Sequence, residues 1–272
     1  MPEIQERFVD AGGIRTRMLE IGSGEPLILV HGGGAGADAW GNWSGIMPAF
    51  AERGFRVIAV DMVGFGKTDK PDPASFVYSQ SARNAHLIAF LEALGLKRAS
   101  LVGNSMGGCT SLGVTMQRPD LVEKLVLMGS GGLPLQMGES VRTILSFAPS
   151  RENMEKLIRV LTNDEFPIDP KMVEHRLRLV ESPGTMPAYG ATMKWVAEHG
   201  LVYPEDEIRK VKTKTLVIAG KNDKVVTPDV NWKFSELLEN SWLHMIPHCG
   251  HWAMIERPRE FLAVTCLFLA EA

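Results

Sequence analysis

Residues Gly103-Asn104-Ser105-Met106-Gly107 form a G-x-S-x-G pattern, the most chemically suggestive feature of this 272-residue chain. A serine hydroxyl is a weak nucleophile near neutral pH. It needs a base within hydrogen-bond reach, and the base needs an acid to orient it. The pattern gains meaning when a strand leads in and a helix leads out, because the sharp turn then lifts the hydroxyl clear of the sheet. An apolar run at 99–102 precedes Ser105, and a small-residue helical stretch at 106–117 follows it. Gly103 and Gly107 leave room where a Cβ would meet neighbouring backbone.

For an elbow of this kind the partners follow in the order Ser, Asp/Glu, His. Asp223 lies just past the run at 216–219 and is the candidate acid. Asp61 also follows a strand pattern but precedes Ser105, and Asp229 falls where a helix should begin. The candidate base is His251, in His248-Cys249-Gly250-His251-Trp252, with Gly250 supplying a flexible turn and His248 competing. His86, His175, His199 and His244 fall in helical or strand patterns and read as surface or packing residues. An oxyanion hole would use the backbone N–H of Met106 and a second N–H from His31-Gly32-Gly33-Gly34-Ala35-Gly36. Gly33 or Gly34 supplies it, with Gly33 preferred. The same glycine run lacks the lysine of a phosphate-binding loop and does not open a helix.

These residues need a frame that gathers strand ends along one edge. Short apolar runs at 27–30, 56–60, 101–102, 125–128, 215–219 and 242–246 read as strands, with helical patterns at 79–94 and from 259 onward. Runs without polar alternation suit strands buried on both faces, so the pattern predicts an α/β fold with a mostly parallel sheet flanked by helices. From 133 to 204 no strong buried strand occurs. Amphipathic segments at 141–147, 154–161, 172–180 and 189–198 are punctuated by prolines. This predicts a helical lid inserted between two parts of one core, 1–132 and 205–272, over the strand ends where open sheets bind ligands.

The chain is 45% hydrophobic and 22% charged with net charge −3, which suits a substantial core and gives no argument for nucleic acid or an anionic membrane. No run is long enough to span a bilayer, and the polar start does not read as a signal peptide. Cys109, Cys249 and Cys266 show no paired spacing, which points to a reducing compartment, the cytoplasm, and no zinc-ligand pattern occurs. No metal or cofactor is expected.

Taken together, the residues resemble the α/β-hydrolase family along essentially the whole chain. The stretch His31 to Ala37 followed by Trp40 and Asn42, the segment Asp61-Met62-Val63-Gly64-Phe65-Gly66-Lys67-Thr68, Gly103 to Gly108, and Cys249-Gly250-His251-Trp252 narrow the likeness. They resemble the meta-cleavage product hydrolases, nearest to carbazole and biphenyl/dibenzofuran pathway members. The resemblance implies hydrolysis of a carbon–carbon bond in 2-hydroxy-6-oxohexa-2,4-dienoates, giving a 2-hydroxypenta-2,4-dienoate and a carboxylic acid. It also implies a polar subsite of Asn42, Asn104, Arg176 and Trp252, with Arg176 gripping the substrate carboxylate. Ile144, Phe147, Leu161, Trp195 and Val226 are candidates for an apolar subsite for the C6 substituent. A small molecule is the expected partner, and the family often forms dimers or larger homo-oligomers. A carboxylesterase or lactonase on the same triad is the alternative. A ligand receptor keeping the fold would show tight binding without turnover.

Overall fold

Strands form where apolar side chains run unbroken, because only a parallel sheet covered on both faces buries every position. A computed structural model describes residues 3–271. Its sheet has eight strands: β1 (Gln5–Asp10), β2 (Arg15–Ile21), β3 (Glu25–Val30), β4 (Phe55–Val60), β5 (Ala99–Asn104), β6 (Val122–Met128), β7 (Thr215–Gly220) and β8 (Ser241–Ile246). The order is β1-β2-β4-β3-β5-β6-β7-β8. From β4 to β8 every pairing is parallel, whereas β1 pairs β2 and β2 pairs β4 antiparallel.

The strands β1 and β2 go beyond the sequence reading. Their segments, Gln-Glu-Arg-Phe-Val-Asp and Arg-Thr-Arg-Met-Leu-Glu-Ile, carry charges throughout. Arg7, Arg17 and Arg56 pair with glutamates at this edge, so charged residues occupy strand positions that an apolar-run criterion passes over.

Helices α1 (Ala39–Trp43), α2 (Met47–Ala51), α3 (Gln80–Ala93) and α4 (Met106–Gln117) belong to the first part of the chain. Between β6 and β7 come α5 (Glu139–Leu145), α6 (Arg151–Leu161), α7 (Pro170–Val180), α8 (Thr185–His199) and α9 (Glu205–Arg209). The chain ends with α10 (Pro228–Leu237), between β7 and β8, then α11 (Ala253–Glu256) and α12 (Pro258–Ala270). Ser79 caps α3 by accepting from Ala82 N–H, and Ser150 caps α6 in the same way. The aromatic rings of Trp43, Phe50 and Phe261 pack α1, α2 and α12 together, while α3, α4 and α10 pack elsewhere against the sheet. Leu27 to Val30 and Val57 to Val60 are fully buried between these layers.

Two buried histidines brace the loop after β4. His31 Nε2 accepts from Met62 N–H (3.0 Å), and His86 Nδ1 accepts from Val63 N–H (3.3 Å). An amide only donates, so the proton of His86 sits on Nε2, which faces Thr16 Oγ1 at 2.8 Å. Burial, with His31 alongside, lowers the pKa of His86 from 6.5 to about 4. The unfolded chain therefore takes up a proton that the folded chain refuses between these values. The contribution is whole above about pH 6.5 and is lost as pH falls toward 4, amounting to about 3 kcal/mol at most. Urea unfolding between pH 7 and 4 should show stability falling with acid, and His86→Gln should flatten that slope by up to one proton.

Candidate active site

Ser105 sits where β5 gives way to α4, with φ +55° and ψ −118°. This is a region L-residues rarely adopt, so the turn is strained and must be held by its surroundings. Ser105 N–H donates to Met128 O (3.1 Å), and Ser105 O accepts from both Cys109 and Gly131 N–H (3.0 Å each). A Cβ on Gly103 would stand 2.5 Å from Gly107 O, and one on Gly107 would strike the carbonyl oxygens of Val30 and His31. The absence of side chains at these two positions is what lets α4 begin directly against the ends of β3 and β5.

Asp223 follows β7, and His251 follows β8, so neighbouring strands deliver them to the same sheet edge. His251 Nδ1 donates to Asp223 Oδ2 at 2.7 Å, with both side chains buried. Asp223 Oδ1 accepts from Val225 and Val226 N–H (2.8 and 3.0 Å), which fixes the carboxylate from behind. With its proton on Nδ1, the imidazole presents a lone pair at Nε2, which is buried without a partner in a cavity that Ser105 also lines. That is the geometry of a general base awaiting a proton. His251 N–H donates to Leu161 O, and Glu256 accepts from Gly250 and Trp252 N–H, so the loop is tied on both sides. Of the rival groups, Asp61 is occupied by Arg17 and by Ala39 and Lys67 N–H. Asp229 is exposed in the first turn of α10, and His248 is exposed.

Met106 N–H is the first amide of α4, one that no intrahelical carbonyl can reach. His31 Nδ1 lies 2.7 Å from Gly32 O, and because Nε2 is the acceptor for Met62, Nδ1 is the donor. In a trans peptide the N–H points opposite the carbonyl, so Gly33 N–H is turned away from His31. Gly33 and Gly34 both line the cavity, and a Cβ on Gly33 would lie 2.8 Å from Met106 Sδ.

The cavity encloses about 640 Å³ of space not filled by protein atoms, its mouth included. Its polar wall is Asn42 of α1, Asn104, Arg176 of α7 and Trp252. Both side-chain polar atoms of Asn42 and Oδ1 of Asn104 are buried and unpartnered. Asn104 Nδ2 donates to Met128 O and His251 O, so this residue also ties the elbow to the histidine loop. Arg176 is 3% exposed and donates to Ala35 O (2.8 Å), with its guanidinium 4.4 Å from the Trp252 ring centre. Burial lowers its pKa to about 10, which leaves it cationic at neutral pH. Among the described residues no carboxylate forms an ion pair with it.

A sequence profile of the α/β hydrolase fold matches residues 25–258. The chain belongs to the α/β-hydrolase fold family. The hydrolase is 50% identical, over 97% of its length and 91% of the relative's, to a 2-hydroxy-6-oxo-6-(2'-aminophenyl)hexa-2,4-dienoic acid hydrolase of Metapseudomonas resinovorans. It is 36% identical to a 2-hydroxy-6-oxo-2,4-heptadienoate hydrolase of Pseudomonas putida, over 97% of this chain and 96% of that one. A solved structure of a serine hydrolase involved in carbazole degradation superposes with a TM-score of 0.90 at 48% identity, covering 98% of this chain and 99% of that one. By these relatives the hydrolase is a member of the meta-cleavage product group.

The aliphatic wall corrects part of the sequence reading. Ile144 and Leu161 line the cavity, but Phe147, Trp195 and Val226 do not. Phe147 lies beyond the end of α5 and packs edge-on against Tyr189. Trp195 stacks on His199 (4.7 Å between ring centres) and faces Arg83 of α3, away from the site. Asp223 takes both the Val225 and Val226 amides in one turn, and it is Val225 that faces the cavity. Val141, Ile144 and Leu145 of α5, with Met193 and Val196 of α8, complete the wall. Helical spacing alone could have flagged these residues, since each set lies on one face of its helix.

Gly129, with φ +48°, lies directly behind the pair. A Cβ there would stand 2.9 Å from His251 Nδ1 and 3.0 Å from Asp223 Oδ2. Gly129→Ala is therefore expected to tilt the imidazole and lower kcat by roughly 10–100-fold while the protein still folds. Steady-state kinetics beside a thermal melt would check this, and unchanged kcat would refute the tight packing.

Proposed function

We propose that this hydrolase cleaves the C5–C6 bond of 2-hydroxy-6-oxo-6-arylhexa-2,4-dienoates, consuming water and yielding 2-hydroxypenta-2,4-dienoate and an aryl carboxylic acid. The observation that carries the reading is the buried, carboxylate-free Arg176 guanidinium in a cavity whose other wall is aliphatic. A ligand matching it has an anionic end, an apolar end and a reactive carbon between them. The 50% identical relative, named for a 2'-aminophenyl substrate, supports an aryl group at C6.

In this reading Ser105, His251 and Asp223 form the triad, and Arg176 with Asn42 holds the carboxylate and 2-oxygen. The dienol gives up its 2-hydroxyl proton and gains one at C5, becoming the 2-keto form. His251 Nε2 then removes a proton either from Ser105 Oγ, which attacks C6, or from a water that Ser105 orients. Met106 and Gly33 N–H stabilise the resulting oxyanion at the C6 oxygen. Collapse breaks C5–C6, and the electron pair left on C5 delocalises onto the 2-keto group at the polar subsite. His251 returns its proton to that fragment; on the serine route a water, deprotonated by His251, then attacks C6 of the acyl group, releases the carboxylic acid and restores the proton to Ser105 Oγ through His251. Residues 133–204 would act as the lid of the core formed by 1–132 and 205–272. No helix among the described residues is long and apolar enough to cross a membrane. Three unpaired cysteines support a cytoplasmic location. Assembly into a homo-oligomer follows the family habit and is read by light scattering.

Loss of the yellow dienolate absorbance should be fastest with C6-aryl substrates in a panel of aryl and alkyl dienoates. Aryl-ester turnover far above that of any dienoate would reverse the reading in favour of an esterase. Ser105→Ala should lower kcat by roughly 10³-fold or more. Arg176→Ala should lower kcat/KM for dienoates by roughly 10²-fold, since it removes a charge-assisted contact.

A further inference from the structure

Arg176 is not isolated on its helix. Its neighbour His175 reaches out of α7 and places Nε2 2.9 Å from Asp38 Oδ1. Asp38 is buried and caps α1, accepting from Gly41 N–H at 2.7 Å. That helix carries Asn42, whose side chain is unpartnered in the cavity. The second Asp38 oxygen faces Arg17 at 3.4 Å, and Arg17 is held in turn by Asp61 and Glu6. One carboxylate therefore joins the lid helix to α1 on one oxygen and meets Arg17 of the sheet on the other.

The fit around this contact is close. A Cβ on Gly41 would lie 3.2 Å from His175 Cδ2, and one on Gly36, which has φ +67°, would lie 2.5 Å from Arg176 O. The backbone of α7 thus rests against the loop after β3 at the place where Arg176 turns inward. Because the two residues are adjacent, a rotation of α7 that releases His175 also displaces the Arg176 guanidinium.

We propose that the His175–Asp38 contact is a latch that sets the polar subsite, making His175 a positioning residue for recognition of the substrate carboxylate. The latch holds the cation of α7 and the amide of α1 at a fixed separation, so a carboxylate and its neighbouring oxygen meet both at once. This rests on the assignment of Arg176 to the substrate carboxylate.

The test compares a C6-phenyl dienoate with 4-nitrophenyl acetate, which carries no carboxylate. His175→Leu should lower kcat/KM for the dienoate by roughly 10–100-fold, chiefly through KM. The loss on the dienoate should exceed that on the ester by at least tenfold. His175→Gln, which offers an N–H at similar reach, should recover most of the loss. In an Arg176→Ala background, His175→Leu should have little further effect on the dienoate, because both changes act through one group. Equal losses on dienoate and ester would mean that His175 supports the fold at large, and additive losses in the double variant would mean that it acts apart from Arg176. Either result overturns the latch. Failure of the wild-type enzyme to turn over any dienoate would instead overturn the functional reading beneath it.

Discussion

The site depends on one steric constraint, the approach of α4 to the ends of two parallel strands. The Gly107 α-carbon sits against the carbonyls that finish β3, and Gly103 sits against the first turn of the helix. Only with both side chains missing can the chain reverse within one residue, and that residue is forced to positive φ. The strain at Ser105 is tolerated because its N–H and C=O are each hydrogen-bonded to the β6 end or to the helix. The strand register does the rest. Val30 pairs with Gly103, Asn104 with Met128, and Gly220 with Ile246. The glycine loop after β3, Ser105, Asp223 and His251 therefore leave one sheet edge side by side.

Electrostatics around the cavity follow a second pattern. The carboxylates of Asp223, Asp38 and Asp61 are satisfied within the protein, with each oxygen meeting a donor. The cavity itself is not. Asn42, Asn104 Oδ1 and His251 Nε2 are buried at its wall without a protein partner, and Arg176 lines it beside them with a hydrogen bond to Ala35 O. Buried polar groups are rarely left this way, and their concentration around Ser105 marks where a polar ligand belongs.

Legibility from sequence tracked the range of the interactions. The turn at Ser105 and the placement of Asp223 and His251 at the sheet edge were readable because each sits in a short motif at a strand end. Strands β3 to β7 were readable because burial on both faces leaves apolar runs, and the half-buried edge strand β8 because its run is still mostly apolar. Strands β1 and β2 escaped because their ion pairs put charge into the sheet. The aliphatic wall was read only in part. Trp195 and Val226 are neighbours of cavity residues, yet helix rotation and the Asp223 turn point them elsewhere. The contact between His175 and Asp38 joins residues 137 positions apart, and no local pattern announces it.

The division of labour between strands and inserted helices has a further meaning for how such an enzyme can change. Ser105, His251 and Asp223 are referenced to hydrogen-bonded strand register, which tolerates little alteration. The aliphatic wall hangs on α5 and α8, which contribute no atom to the Ser105–His251–Asp223 group. Mutational drift there can reshape the accommodated group without disturbing reactive geometry. Diversification of substrate range on this scaffold is thus decoupled from preservation of its chemistry.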